Sequence, residues 1–350
     1  MINGLFVLIL GLILAVFLGW AFKTLPNEKW QILASVPVAK KDGGNWEGLN
    51  LTYYGLFYAH GAVIAFALLL ILLTAVSVPI LGIAATGSSL VVIALLSSRI
   101  IARWVEKKPH TATVGGASFA ILLLAPWLFI LAREPLRARL GFDLPLLPVL
   151  AAIGISYAFG EGIGRLACIS FGCCYGRSLA ESPPFFQKLF AKWNFIFTGK
   201  TKKIAYAHGL DGKAVIPIQA ITSVIYTATG LLGVLLFLNG FYGPSFMMAA
   251  AVTQVWRVIS EFFRADYRGA GRISAYQKMA ILCIPYSLAL VFLLPEHSMP
   301  PADVFHGLRI LLSPAIILFL LLLWVAVFLY SGRSMVTGST ISFHVFRDRI

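Results

Sequence analysis

Two pairs of ionisable residues interrupt the apolar runs of this sequence at a spacing that suits one kind of chemistry. Glu161 and Arg165 stand four residues apart, as do Arg257 and Glu261, and Arg264 and Arg268 continue the second series. Four residues is about one helical turn, so the members of each pair share a face. A charge in the middle of a membrane span costs roughly 3 kcal/mol or more, so it usually faces a cavity and has a partner. Two readings fit. Neutralised pairs can simply lock helices together. Alternatively, two guanidinium forks facing one cavity make a phosphodiester site, because their planar donors match phosphate oxygens. Both pairs lie near the same ends of their runs, beside a glycine-rich segment, which favours the second reading.

That segment runs Gly160-Glu161-Gly162-Ile163-Gly164-Arg165, then through Cys168, Phe171 and Gly172 to Cys173-Cys174-Tyr175-Gly176. Its glycines let another backbone or a lipid approach closely. Three of the chain's four cysteines gather here. They fit either a disulfide near an oxidising face or small, close-packed residues without chemistry. The spacing lacks the paired thiolates and histidines of a zinc site, so no metal and no other cofactor is expected.

The elements that must position these groups are apolar helices. Of 350 residues, 59% are hydrophobic and only 12% charged, about half the charge of a soluble domain. The runs predict about nine spans of an all-α, polytopic membrane helical bundle. They cover Gly4–Phe22, Thr52–Val76, Ile80–Ile101, Val114–Leu131, Leu146–Ser170, Pro217–Leu238, Ser245–Phe263, Ala275–Leu294 and Leu308–Tyr330. Residues Gly176–Val215 are polar and cannot span, which predicts an extramembrane arm. The first run lacks a basic start and a cleavage site, so it reads as a retained helix. A formal charge of +14 invites a nucleic-acid partner. The basic residues, however, lie at helix ends and in loops, a pattern that fits membrane lipids and topology signalling and no nucleic acid. No internal repeat of the transporter kind is present.

Gly164-Arg165 followed by Gly172 and Gly176 resembles the signature of the prolipoprotein diacylglyceryl transferases. Further matches to that family fall in order: Tyr54-Gly55-Leu56, Arg99, Gly115-Gly116, Pro217-Ile218-Gln219, Arg257 with Glu261-Phe262 and Arg264, and Ser274 with Gln277. The resemblance implies a seven-helix core over 52–295 carrying the arm at 176–215. It leaves 1–51 as an added N-terminal helix and polar linker, and 296–350 as an added C-terminal helix and tail. The chain departs from the family where Val114 and Ile216 replace histidines, Cys168 and Phe171 replace asparagines, and Cys173 replaces an acidic residue.

The family transfers a diacylglyceryl group from phosphatidylglycerol to the lipobox cysteine of a prolipoprotein, at the bacterial cytoplasmic (inner) membrane. Carried onto this sequence, Arg165 and Arg257 are the expected catalytic cations, with Tyr54 and Arg99 orienting the headgroup. Gly164, Gly176, Gln219, Glu261 and Arg264 complete the expected substrate site. The base is open between His110, in a basic loop, and His60, on the second span. The implied partners are phosphatidylglycerol, the lipobox segment and membrane lipids. The count of basic residues in short loops puts the arm on the cytoplasmic side, whereas the resemblance puts it outside. Active-site arginines inflate that count, so the outer face is the expectation. The lost histidines and asparagines leave two other functions in view: the same donor with a different acceptor, or lipid binding without turnover.

Overall fold

The computed structural model describes residues 2–105, 107, 113–265, 273–294 and 302–350. In chain order its elements are α1 (Ile2–Thr24), β1 (Ile32–Lys40), β2 (Trp46–Thr52), α2 (Tyr53–Ala75), α3 (Ile80–Val105), α4 (Val114–Leu140) and α5 (Leu146–Phe171). The arm contributes α6 (Pro184–Leu189), β3 (Phe195–Ile196), α7 (Lys203–His208) and β4 (Ala214–Val215). The chain continues through α8 (Ile218–Leu238), α9 (Tyr242–Glu261), α10 (Ala275–Leu293), α11 (Val304–Arg309), α12 (Pro314–Ser331) and β5 (Arg333–Ile341).

Among the described residues, nine helices have spanning length, one on each of the nine apolar runs, though α4 continues nine residues beyond Leu131. Eight are also apolar enough to cross a membrane. The ninth, α9, is less apolar because Thr253, Gln254, Arg257, Ser260 and Glu261 occupy its second half. The helix most deeply enclosed is α5, which packs against α2, α8 and α9. Its small residues allow this: a methyl group on Gly61 of α2 would meet the Gly160 carbonyl at 2.8 Å and the Gly164 nitrogen at 3.1 Å. At the rim, α1 rests on α8 and α12 on α2. Both expose Leu, Ile and Val outward, as helices surrounded by hydrocarbon do.

Helix ends follow local chemistry. The α2 start is capped by Thr52, whose side chain accepts from the Gly55 amide, and α10 opens on a full capping box of Ser274 and Gln277. Gly172 closes α5 with φ 69°, a left-handed conformation that suits glycine. The last span begins at Pro314 rather than Leu308, because Pro314 sits in the first turn of α12 and α11 precedes it.

The polar segment before α2 is not a plain linker. There β1 and β2 form an antiparallel hairpin, and β5 from the C-terminal tail pairs with β2, giving the order β1-β2-β5. Segments from near both ends of the chain therefore meet in one small sheet. The arm is tied down beside them. Lys202 is fully buried and its Nζ donates to the Leu25 carbonyl at 3.3 Å and the Ser170 carbonyl at 2.6 Å. The Ile204 amide donates to the Gly172 carbonyl at 2.9 Å.

Candidate active site

Packing of α9 on α5 sets the charged cluster. Arg165 forms an ion pair with Glu161, one turn back on α5. Arg257 does not turn to Glu261: its Nη2 donates to the Tyr157 hydroxyl at 2.5 Å, across the α5–α9 contact. Glu261 instead lies 3.7 Å from Arg264 and accepts from Ser274 Oγ at 3.4 Å. Gly115 of α4 makes room for Arg257, since a methyl group there would stand 2.5 Å from Nη1. Arg165 and Arg257 are near enough to interact electrostatically with each other and with Glu161, and Arg264 with Arg165. Among the described residues, three guanidinium groups meet two carboxylates. Two donors are unmet: among the described residues, the buried Nε atoms of Arg165 and Arg257 have no hydrogen-bond partner. Buried donors are rarely left so, and leaving one unpaired costs about 1–3 kcal/mol.

Below the arginines lies an apolar cavity of about 240 Å³ between α2, α3, α4, α5 and α9. Phe66, Leu122, Ile153, Phe246 and Ala249 are among its walls. Tyr157 also lines it while accepting from Arg257, so the cationic cluster and the cavity share a border.

Tyr54 stacks on Tyr58 with ring centroids 6.0 Å apart and meets the edge of Phe171 at 5.7 Å. Tyr58 interacts electrostatically with Glu161 and with Tyr330 of α12, and the Tyr330 hydroxyl accepts from Arg99 Nη2 at 3.0 Å. A polar line thus runs from the buried ion pair to the exposed Arg99 on α3. On the other side of Tyr54, the sulfur atoms of Cys168, Cys173 and Cys174 all lie within 4.8 Å of one another. Among the described residues no disulfide is present, so of the readings open for these cysteines the bridge is not the one seen here.

The model of the prolipoprotein diacylglyceryl transferase family matches residues 44–294, more than two-thirds of the chain. This chain belongs to that family. It is therefore a multi-pass membrane protein of a transferase family that acts in lipoprotein biosynthesis. No curated protein matches it.

Relative to the sites expected for a prolipoprotein diacylglyceryl transferase, the fold gathers Arg165, Arg257, Glu261 and Arg264 into one cluster, to which Tyr54 is linked through Tyr58. Gly164 has open space where a side chain would go. Gly176 bridges to Arg264, linking the loop after α5 to the end of α9. Gln219 donates to the Cys173 carbonyl at 2.9 Å, and its Oε1 is buried without a partner. Among the described residues, Arg99 joins through Tyr330. His60 is not brought to the arginines by any contact it makes; its Nδ1 lies 2.7 Å from the Leu56 carbonyl and its ring meets the edge of Trp324, in the α2–α12 seam. His110 and Arg268 lie outside the described residues. Sequence reasoning missed Tyr157, although Tyr157, Glu161 and Arg165 form a polar stripe at four-residue spacing. Tyr330 carried no such signal, being one aromatic residue at the end of an apolar run.

Proposed function

We propose that this chain transfers the diacylglyceryl group of phosphatidylglycerol to the cysteine thiol of a lipobox segment. The observation that carries the reading is the pair of buried guanidinium Nε donors without a hydrogen-bond partner among the described residues, on the border of an apolar cavity. A phosphodiester brings one negative charge and two unesterified acceptor oxygens to such donors, and the acyl chains of a phospholipid match an apolar cavity.

The sulfur attacks the carbon of the diacylglyceryl group that bears the phosphate. The S–C bond forms, the C–O bond breaks, and glycerol phosphate leaves with the electron pair. Arg165 and Arg257 stabilise the charge growing on that phosphate. The nucleophile is the thiolate, and we assign its proton to Glu161. Phosphate docking draws Arg165 away from Glu161 and leaves that carboxylate free to accept it. Tyr54 and Arg99 orient the headgroup, with Gly164 leaving room for it. We place the chain in the bacterial cytoplasmic membrane with the arm outside, and assign the chemistry to 52–295.

The test uses vesicles holding the purified chain, labelled phosphatidylglycerol and a lipobox peptide. Lipidated peptide and released glycerol phosphate are expected, and Arg257→Ala abolishes both while the protein remains folded and inserted. Donor consumption without peptide lipidation favours a different acceptor, the reading motivated by Val114, Ile216, Phe171 and the cysteines standing where the family has polar side chains.

A further inference from the structure

The turn after α5 is built to bring three thiols to one point. Gly172 takes the left-handed conformation that ends the helix, and the Cys173 amide returns to the Cys168 carbonyl at 3.0 Å. Cys174 then also adopts a left-handed backbone, with φ 56°, a conformation that costs a residue with a side chain roughly 1–2 kcal/mol. The Cys173 carbonyl is held by Gln219 from α8, and the Ala265 amide donates to the Tyr175 carbonyl, so the turn is fixed from two sides. The result is three sulfur atoms within 4.8 Å of one another. Thiol–thiol hydrogen bonds are weak, and close packing alone does not require a left-handed cysteine.

We propose that Cys168, Cys173 and Cys174 form a three-thiolate site for a soft d10 cation, zinc or monovalent copper. Thiolates around such an ion at ~2.3 Å stand about 4 Å from one another, which the present arrangement reaches with small side-chain movements. Soft sulfur ligands select these ions over hard ones. Charge fits as well: three thiolates around a divalent ion carry one negative charge, and Arg165 interacts electrostatically with both Cys168 and Cys174. Three protein ligands leave a fourth position open, and Tyr54, which interacts with all three cysteines, is the neighbouring polar group. The spacing in sequence argued against a metal because the third ligand comes from the helix and the other two from the turn behind it. Only the left-handed reversal brings them together.

The test uses the full chain in detergent, purified with reductant and free of chelator, and cadmium alone as the probe. A thiolate-to-cadmium charge-transfer absorption is expected to saturate at one equivalent. It should be lost in Cys168→Ser, Cys173→Ser and Cys174→Ser and kept in Cys283→Ser, whose thiol lies on α10. Gel filtration and circular dichroism establish that each variant is folded, and elemental analysis of the protein as isolated should give one zinc or copper per chain. A saturating signal that survives Cys173→Ser in folded protein, or the absence of any saturable signal, overturns the proposal. So does a disulfide joining two of the three in protein prepared from membranes with thiols trapped. None of these readings depends on transfer activity, so they stand or fall apart from the proposed reaction.

Discussion

Gly115→Ala and Gly116→Ala apply the same perturbation at adjacent positions and should have opposite consequences. At Gly115 the new methyl group meets Arg257 Nη1 at 2.5 Å and Tyr276 Cδ1 at 3.0 Å. Ordinary contact begins near 3.4 Å, so the guanidinium must retreat by about 0.9 Å. Its bond to Tyr157, now 2.5 Å, then stretches or breaks. A displacement of about 1 Å at a group that positions substrate can cost ~10²-fold in rate. Stability changes little, because alanine gains about 1 kcal/mol over glycine in a helix and the colliding atom is the end of a long side chain. At Gly116 the methyl group meets Ile101 Cβ and Cγ2 and Thr113 Cγ2, all at 2.8 Å. These atoms are fixed to the backbone, so α3 and α4 must separate, at about 1–3 kcal/mol. Single-turnover transfer in vesicles and thermal unfolding in detergent read the two effects. A Gly115→Ala protein with normal turnover would refute the idea that this glycine exists to seat Arg257, as would equal stability losses in the two variants.

Other substitutions probe the remaining parts. Tyr157→Phe removes the anchor of a buried charged donor, and a hydrogen bond to a charged group contributes about 1.5–3 kcal/mol. Turnover should fall by ten- to a hundredfold, with the phosphatidylglycerol KM changing less; an unaltered rate would count against the anchor. Ala249→Phe fills part of the apolar cavity, so transfer from long-chain donors should drop while short-chain donors are still used; equal losses for both would disconnect the cavity from the acyl chains. Burial lowers Lys202 to about 8 from the 10.5 of an exposed lysine. Between those values the unfolded chain binds the extra proton, so attachment of the arm should strengthen as pH rises through that window, by at most ~3 kcal/mol. Limited proteolysis of the arm against pH measures it, and Lys202→Met should flatten the dependence.

The membrane helices were legible because an apolar run of about twenty residues has the length of a bilayer crossing and exceeds what a soluble core helix needs. Even α9, the least apolar, shows itself through its length. The Glu161–Arg165 pair was equally readable, since both residues sit on one face of one helix. Arg257 was not: at the same four-residue spacing it prefers Tyr157 on a neighbouring helix, and only packing decides between two partners of similar reach. The small sheet escaped notice for a related reason. β2 is half-buried and short, and its second partner, β5, lies at the other end of the chain. The family's motifs located Gln219 and Gly176, but their contacts with Cys173 and Arg264 depend on the turn after α5. His60 illustrates the opposite case, where a histidine on a promising face bonds a backbone carbonyl in a helix seam.

Phosphatidylglycerol affinity in nanodiscs of neutral lipid, compared for Arg165→Gln, Arg257→Gln and the double variant, is the most direct test of a shared phosphate site. If both guanidinium groups hold one phosphate, the two losses are coupled and the double variant departs from additivity by about 1 kcal/mol or more. Losses that add to within ~0.5 kcal/mol would mean that the arginines serve separate places, and the transfer chemistry assigned to them would fail.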